Sequence, residues 1–121
     1  MVINPEGSAE PGLNQNAVSD YGDDSSASAA KSSNGFTITN SDDAPHGFTL
    51  SYSKSGSDGT MMFAVAYDES GDGTVGTLVT VDSGTSQTLT LQAGETAYVV
   101  VSVDTTGGTT NIDGTFSIDA A

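Results

Sequence analysis

The chain has 121 residues, enough for one domain, and its 16 acidic residues against 2 basic ones give it a net charge of -14. So few cations cannot build the basic surface that nucleic acids or anionic membranes require. The absence of cysteine excludes disulfides, thiolate metal sites and cysteine nucleophiles. Dispersed acids with almost no Lys are typical of a protein kept soluble in concentrated salt, where the screening length is ~3 Å at 1 M.

The first 35 residues predict a polar N-terminal arm rather than part of a sandwich. The stretch DDSSASAAKSSNG at 23–35 is close to low complexity, and LNQNAVSDY at 13–21 predicts at most one short helical turn. Fixing the backbone of one residue costs ~1–2 kcal/mol, so order here needs compensating contacts. We expect these from the few large apolar residues, packed on a neighbouring subunit in an assembly or on the chain's own sandwich. The residues are Val2, Ile3, Leu13 and Val18.

From Phe36 onward, apolar and polar residues alternate in seven short runs separated by turn clusters rich in Gly, Asp and Ser. This pattern predicts an all-β fold, an antiparallel immunoglobulin-like β-sandwich of about seven strands over residues 36–121, preceded by the irregular arm at 1–35. The runs are FTITN, GFTLSYS, TMMFAVAYD, VGTLVTV, QTLTLQ, TAYVVVSVDT and GTFSIDA.

A possible cation site lies in the turn DESGDG, where Asp68, Ser70 and Asp72 alternate and Gly73 follows, as in the first half of an EF-hand loop. The twelfth position of such a loop needs a bidentate Glu, and here it is Val79. The flanking runs are also strands. The pattern therefore favours a hairpin tip with solvated carboxylates, and a weak cation site is the alternative.

The remaining polar residues do not form a recognisable catalytic or cofactor pattern. His46 is the single histidine, and the chain has no Gly-x-Ser-x-Gly elbow to pair with it. A copper site with Met61 and Met62 is a further option, but methionines within an alternating run fit a core better. Paired carboxylates fall in polar turns, and the chain has no Trp for sugar stacking. We therefore predict neither an enzyme nor a cofactor.

Three segments carry a resemblance to a known family. GLNQNAV (12–18), FTITNSD (36–42) and LQAGETAYVVVSVDTTG (91–107) resemble small secreted β-sandwich proteins of salt-loving archaea, whose domain of unknown function is related to the TasA/camelysin fibre-forming proteins. The resemblance covers most of residues 12–119, with DDSSASAAKSSNG as an apparent insertion. It implies an extracellular, non-enzymatic sandwich that in some relatives polymerises by lending a strand to the next subunit. It implies no catalytic residues.

The expected function is that of a structural subunit of an extracellular filament or pilus-like thread of a halophilic archaeon. Its partners would be other copies or other subunits, joined through sheet edges and the N-terminal arm. One alternative is a capsid decoration or spike protein of a virus infecting halophilic archaea, which a start without a signal-like segment favours. A second alternative is a cell-surface domain that binds calcium or a glycan.

Overall fold

A computed structural model describes residues 2–3, 18–54, 60–104 and 114–120 of the chain. These residues form an antiparallel β-sandwich with one short helix, which confirms the predicted fold class. All seven strands expected from Phe36 onward are present, and two more precede them. The elements are β1 (Val2–Ile3), β2 (Val18–Tyr21), α1 (Ala27–Ser32), β3 (Phe36–Thr39), β4 (His46–Lys54), β5 (Thr60–Tyr67), β6 (Thr77–Val81), β7 (Ser86–Leu91), β8 (Thr96–Asp104) and β9 (Gly114–Ala120).

The strands are divided between two sheets. Sheet I has the order β1-β9-β4-β7, so that β4 lies between β9 and β7. In sheet II, β8 pairs with β5 along one side, and β5 pairs in turn with β6. The other side of β8 is shared by two strands, β2 opposite residues 101–104 and β3 opposite residues 96–99. In the sandwich, β9 of sheet I and β3 of sheet II lie near one side. β7 of sheet I and β6 of sheet II lie near the other side.

Aromatic side chains join the two sheets across the core. Phe63 of sheet II stacks on Phe116 of sheet I at 4.2 Å between ring centroids, and Phe36 meets Phe116 edge-on at 5.8 Å. Tyr52 packs against Phe63 at 5.3 Å. Each large apolar side chain buried in this way contributes about 1.5–3 kcal/mol to the free energy of unfolding, so the aromatic cluster is a main source of stability.

A helix that the sequence pattern did not reveal lies in the polar stretch 23–35. The Ser26 hydroxyl caps α1 by accepting from the Ala29 N–H at 3.1 Å. Ala30 is fully buried on the outer face of sheet II, against Ala64, Ala66 and Val100. Small side chains on both elements allow this close approach, and the six-residue helix is too short to show a helical period.

The short helical turn expected over LNQNAVSDY is not found in its described part. Residues 18–21 are instead strand β2, because pairing with residues 101–104 of β8 satisfies their backbone groups. Residues 13–17, which include Leu13, lie outside the described residues. Residues 18–35, which belong to the expected arm, pair with or pack against strands of sheet II.

The segment between β2 and β3 is an excursion from a single edge of β8. Tyr21 lies opposite Val101 of β8, and Phe36 lies opposite Val99. Residues 22–35 are therefore inserted between two strands that are separated by only one residue of β8. Asp23 N–H donates to the Ser33 carbonyl at 3.0 Å and closes the neck of this excursion. Gly22 has φ of 113°, and a Cβ there would lie 2.7 Å from the Ser33 carbonyl oxygen, so only glycine fits.

Candidate functional site

The carboxylate of Asp68 organises the loop that links β5 to β6. Asp68 is only 5% exposed. One of its oxygens accepts from the Gly71 N–H at 2.8 Å and the other from the Gly73 N–H at 2.7 Å. The Asp72 N–H and the Ser70 hydroxyl donate to it at 3.3 and 3.4 Å. The side chain therefore serves as an internal acceptor for the backbone of its own turn.

These hydrogen bonds decide the charge of Asp68. Burial by itself acts to raise the pKa of Asp68, because a desolvated carboxylate is disfavoured. The N–H groups of Gly73, Gly71 and Asp72 outweigh this effect and hold the pKa of Asp68 below its usual range. Asp68 is therefore a carboxylate at neutral pH.

The three expected cation ligands do lie together, but both Asp68 oxygens and one Asp72 oxygen already accept N–H groups of the turn. Asp72 accepts from the Thr74 N–H at 2.9 Å, and the Asp68 oxygens accept the N–H groups of the turn. Within the described residues, no three His, Asp or Glu side chains are grouped so as to hold a metal ion. The loop has the geometry of a hairpin tip. The residues lining its open cleft of about 330 Å³ are Asp68, Glu69, Ser70, Asp72, Thr74, Gly76 and Thr77.

His46 is exposed, lies within hydrogen-bond distance of Asp42 and is remote from the two methionines. Its Nε2 lies 2.6 Å from Asp42 Oδ2, and hydrogen bonds from His46 and from the Asp43 N–H lower the pKa of Asp42. Met61 lies in the core, level with Val103 at the opposite end of the sandwich. Met62 points to the other face of β5. The structure therefore does not bring together the three residues considered for copper.

A buried asparagine joins two loops, β3–β4 and β7–β8, at the end of the sandwich that holds the hairpin tip. Asn40 is 3% exposed. Its Nδ2 donates to the carbonyls of Ala44, Leu91 and Gln92 at 2.9, 3.0 and 3.2 Å. Its Oδ1 accepts from the Asp42 N–H at 3.1 Å. The sequence shows no signal for this role, because Asn within a turn cluster is ordinary.

The backbone of Asn40 continues the same network. Its N–H donates to the Glu95 carbonyl and its carbonyl accepts from the Gly94 N–H, both at 2.9 Å. The Glu95 carboxylate in turn accepts from the Gln92 N–H at 2.6 Å. The turn between β7 and β8 is thus held by its own acid and by Asn40.

Among the described strands, none covers the far part of one edge of sheet I. β1 covers only the first two residues of β9, since Val2 pairs with Thr115 and Ile3 with Gly114. Residues 117–120 pair with β4 on one side, and no described strand lies on their other side. Ile118 lies on the inner face of this strand and is 44% exposed. A large apolar side chain on the core face is therefore exposed at this edge.

The opposite side of the sandwich differs in two respects. Gln87 Nε2 of β7 donates to the Thr80 carbonyl of β6 at 3.1 Å and ties the two sheets together. The inner-face residues of β7, Leu89 and Leu91, are buried. An exposed core position is thus a feature of the β9 edge and not of the β7 edge.

Three of the four expected assembly residues fall in described strands. The backbones of Val2 and Ile3 pair with β9, and the backbone of Val18 pairs with Asp104 of β8, all within the same chain. Leu13 lies outside the described residues. Val2 and Ile3 are therefore next to the open edge in the same sheet.

Comparisons of the chain with protein-family models, with curated proteins and with solved structures found no match. In the described part of the chain, no helix has the length and apolar character needed to cross a bilayer. Function is accordingly inferred from the geometry of the sheets, their edges and their loops.

Proposed function

We propose that this protein is a non-enzymatic structural subunit that assembles by strand addition at the open edge of β9. The assembly is an extracellular filament or pilus-like thread of a halophilic archaeon. The observation that carries this proposal is the exposure of Ile118 on the core face of β9, within residues 117–120, beside which no described strand lies on the outer side. The family resemblance of the sequence supports the same function.

Strand addition fits the geometry of this edge. A strand placed in line with β1 would run antiparallel to β9 beside residues 117–120. It would pair with the outward N–H and C=O groups of β9, which otherwise are a template for association with another chain. It would also cover Ile118 and extend the core at the point where β3 lies over β9. The added strand comes from a neighbouring copy.

Charge determines the conditions under which copies can associate. A net charge of -14 makes copies repel one another at low ionic strength. The screening length falls from ~10 Å at 0.1 M salt to ~3 Å at 1 M, so this repulsion nearly disappears in concentrated salt. Assembly is therefore expected in brine and is opposed in dilute buffer.

The test compares the wild-type protein with one edge variant and one matched control. Ile118→Lys places a cation on the core face of the open edge, and Thr80→Lys places the same cation on the exposed outer face of β6. Each protein is examined in concentrated KCl by sedimentation and negative-stain electron microscopy. Thermal unfolding shows that each variant is folded.

We expect polymers from the wild type and from Thr80→Lys, and monomers from folded Ile118→Lys. Wild-type protein that stays monomeric at every salt and protein concentration would contradict the assembly function. Polymers that form equally well with Ile118→Lys would contradict the role of the β9 edge.

A further inference from the structure

The outer face of sheet I is covered by hydroxyl side chains. Alternation along β4, β7 and β9 directs Leu50, Leu89 and Phe116 into the core and their neighbours outward. The outward neighbours are almost all Ser or Thr. We call them the hydroxyl face, which consists of Thr49, Ser51, Ser53, Ser86, Thr88, Thr90, Thr115 and Ser117.

Strand register arranges these hydroxyls in rows. Ser51 of the central strand β4 lies between Ser86 and Ser117, and Thr49 lies between Thr88 and the acidic Asp119. The hydroxyl oxygens of Thr49 and Thr88 are 3.1 Å apart. Neighbouring strands are ~4.8 Å apart and alternate residues ~6.7 Å apart along a strand, so the hydroxyls form a flat, regular grid.

This grid is almost free of charge on a protein of net charge -14. At the outward positions of β4, β7 and β9, Asp119 is the single charged residue, and it lies at the end of β9. Other acids occupy loops and turns, such as Asp42, Asp72 and Asp82. Neither lysine lies on the face, so its low charge does not result from ion pairing.

The outer face of sheet II is different. There α1 covers the alanines of β5, and Asp20 and Asp104 lie at outward positions of β2 and β8. A second copy approaching from that side would meet the helix and two carboxylates. Approach onto the hydroxyl face meets no helix and a single outward carboxylate, that of Asp119 at the end of β9.

We propose that the hydroxyl face is a self-association surface on which a second copy of this chain packs face to face. A hydroxyl both donates and accepts a hydrogen bond, so a grid of hydroxyls is complementary to its own copy in a two-fold contact. Compared with the outer face of sheet II, it lets two copies approach while bringing fewer carboxylates together. The face offers no aromatic side chain for stacking on a sugar ring, which favours a protein copy over a glycan.

The size of the face indicates how such a contact is used. Three strands ~4.8 Å apart and about 20 Å long cover roughly 300 Å² in projection. A stable pairwise interface needs about 800 Å² from each partner, so one contact of this size is weak by itself. It becomes effective when many copies are already aligned, through avidity. The inference therefore rests on the proposed assembly and assigns this face to side-by-side contacts between assembled subunits.

The natural absence of cysteine allows a direct test by single-cysteine cross-linking. Ser51→Cys places a thiol at the centre of the hydroxyl face with an almost isosteric change. Thr80→Cys places one on the exposed outer face of sheet II as the matched control. Both proteins are assembled in concentrated KCl and treated with a short bis-maleimide, and covalent dimers are quantified on denaturing gels.

We expect several-fold more covalent dimer from Ser51→Cys than from Thr80→Cys. A second pair of variants, Thr49→Asp and Thr88→Asp, should abolish this excess when introduced beside Ser51→Cys, and should give single threads where the parent gives bundles. Equal cross-linking of the two cysteine proteins overturns the proposal, as do bundles that persist with both acidic variants. The proposed function fails separately, when the wild-type protein stays monomeric at every salt and protein concentration, so the two failures are distinguishable.

Discussion

The ring of Tyr52 lies directly over the backbone of Gly114, on the neighbouring strand of sheet I. A Cβ at Gly114 would be 2.5 Å from Tyr52 Cε1 and 2.7 Å from its hydroxyl oxygen. Glycine is therefore required here for space rather than for backbone conformation. The contact matters because Tyr52 packs on Phe63, and Phe63 stacks on Phe116. Burial raises the pKa of Tyr52, so the ring stays neutral at physiological pH.

Replacing Gly114 by Ala should lower stability without abolishing the fold. The added methyl group displaces the Tyr52 ring from its place against Phe63, and overpacking of this kind costs about 1–3 kcal/mol. Denaturant unfolding in concentrated KCl measures the loss. The control is Thr115→Ala on the exposed side of the same strand, which should change the unfolding free energy far less. Equal stability of the wild type and Gly114→Ala would show that the ring has room to move.

Asn40→Ala should destabilise the end of the sandwich that holds the hairpin tip. The substitution leaves the carbonyls of Ala44, Leu91 and Gln92 without the donor that serves them. Leaving buried polar groups unpaired costs about 1–3 kcal/mol. Ser41→Ala, at the exposed neighbouring position, is the control. If Asn40→Ala unfolds at the same denaturant concentration as the wild type, water replaces the amide at no cost and the network is not structural.

The acid stability of the protein should depend on Asp68. Its pKa is lower in the folded state than in the unfolded chain, so the ionised form contributes stability above the unfolded value near pH 4. That contribution is lost as the pH falls through the lower folded value. Asp68→Asn should therefore lower the melting temperature at neutral pH and flatten its fall below about pH 4. Melting curves from pH 2 to 7 measure this difference, with Asp119→Asn as an exposed control. Parallel curves for the wild type and Asp68→Asn would contradict the assignment.

Calcium should bind the hairpin tip no more tightly than roughly millimolar, the weak end of the range for such loops. The reason is that the Asp68 oxygens already accept the N–H groups of Gly71 and Gly73. Isothermal calorimetry with Ca²⁺ in high-salt buffer checks this expectation. Sub-micromolar binding that disappears in Asp72→Ala would mean that the loop rearranges around a cation.

Thermal stability should rise with salt. Self-repulsion at a net charge of -14 is strongest at ~0.1 M KCl and almost fully screened at ~3 M. The melting temperature is measured at both concentrations, with a neutral osmolyte at ~0.1 M KCl as the control for general solvent effects. A melting temperature that does not increase with KCl would rule out screening as a source of stability.

The amino-acid sequence by itself determined which residues form the strands from Phe36 onward. Alternation with period two is a local property of the sequence. Gly, Asp and Ser likewise mark the turns whatever the tertiary surroundings of the segment. It also separated the inward Phe63 and Val65 of β5 from the outward Ala64 and Ala66. The hairpin geometry of the Asp68 loop was predictable for the same reason, because its acceptor and its donors lie within five residues of each other.

Only the tertiary structure decided which of these strands are neighbours and what their edges leave exposed. The Nδ2 of Asn40 reaches Leu91, 51 residues away, and no local pattern encodes that partner. Helix α1 forms where Ala30 can pack on a sheet built from residues much later in the chain. Ile118 obeys the same alternation as Leu50, yet Leu50 is fully buried because β9 and β7 flank its strand, whereas Ile118 lies at an edge. Burial depends on neighbours brought together by folding, and alternation specifies only the face on which a side chain lies.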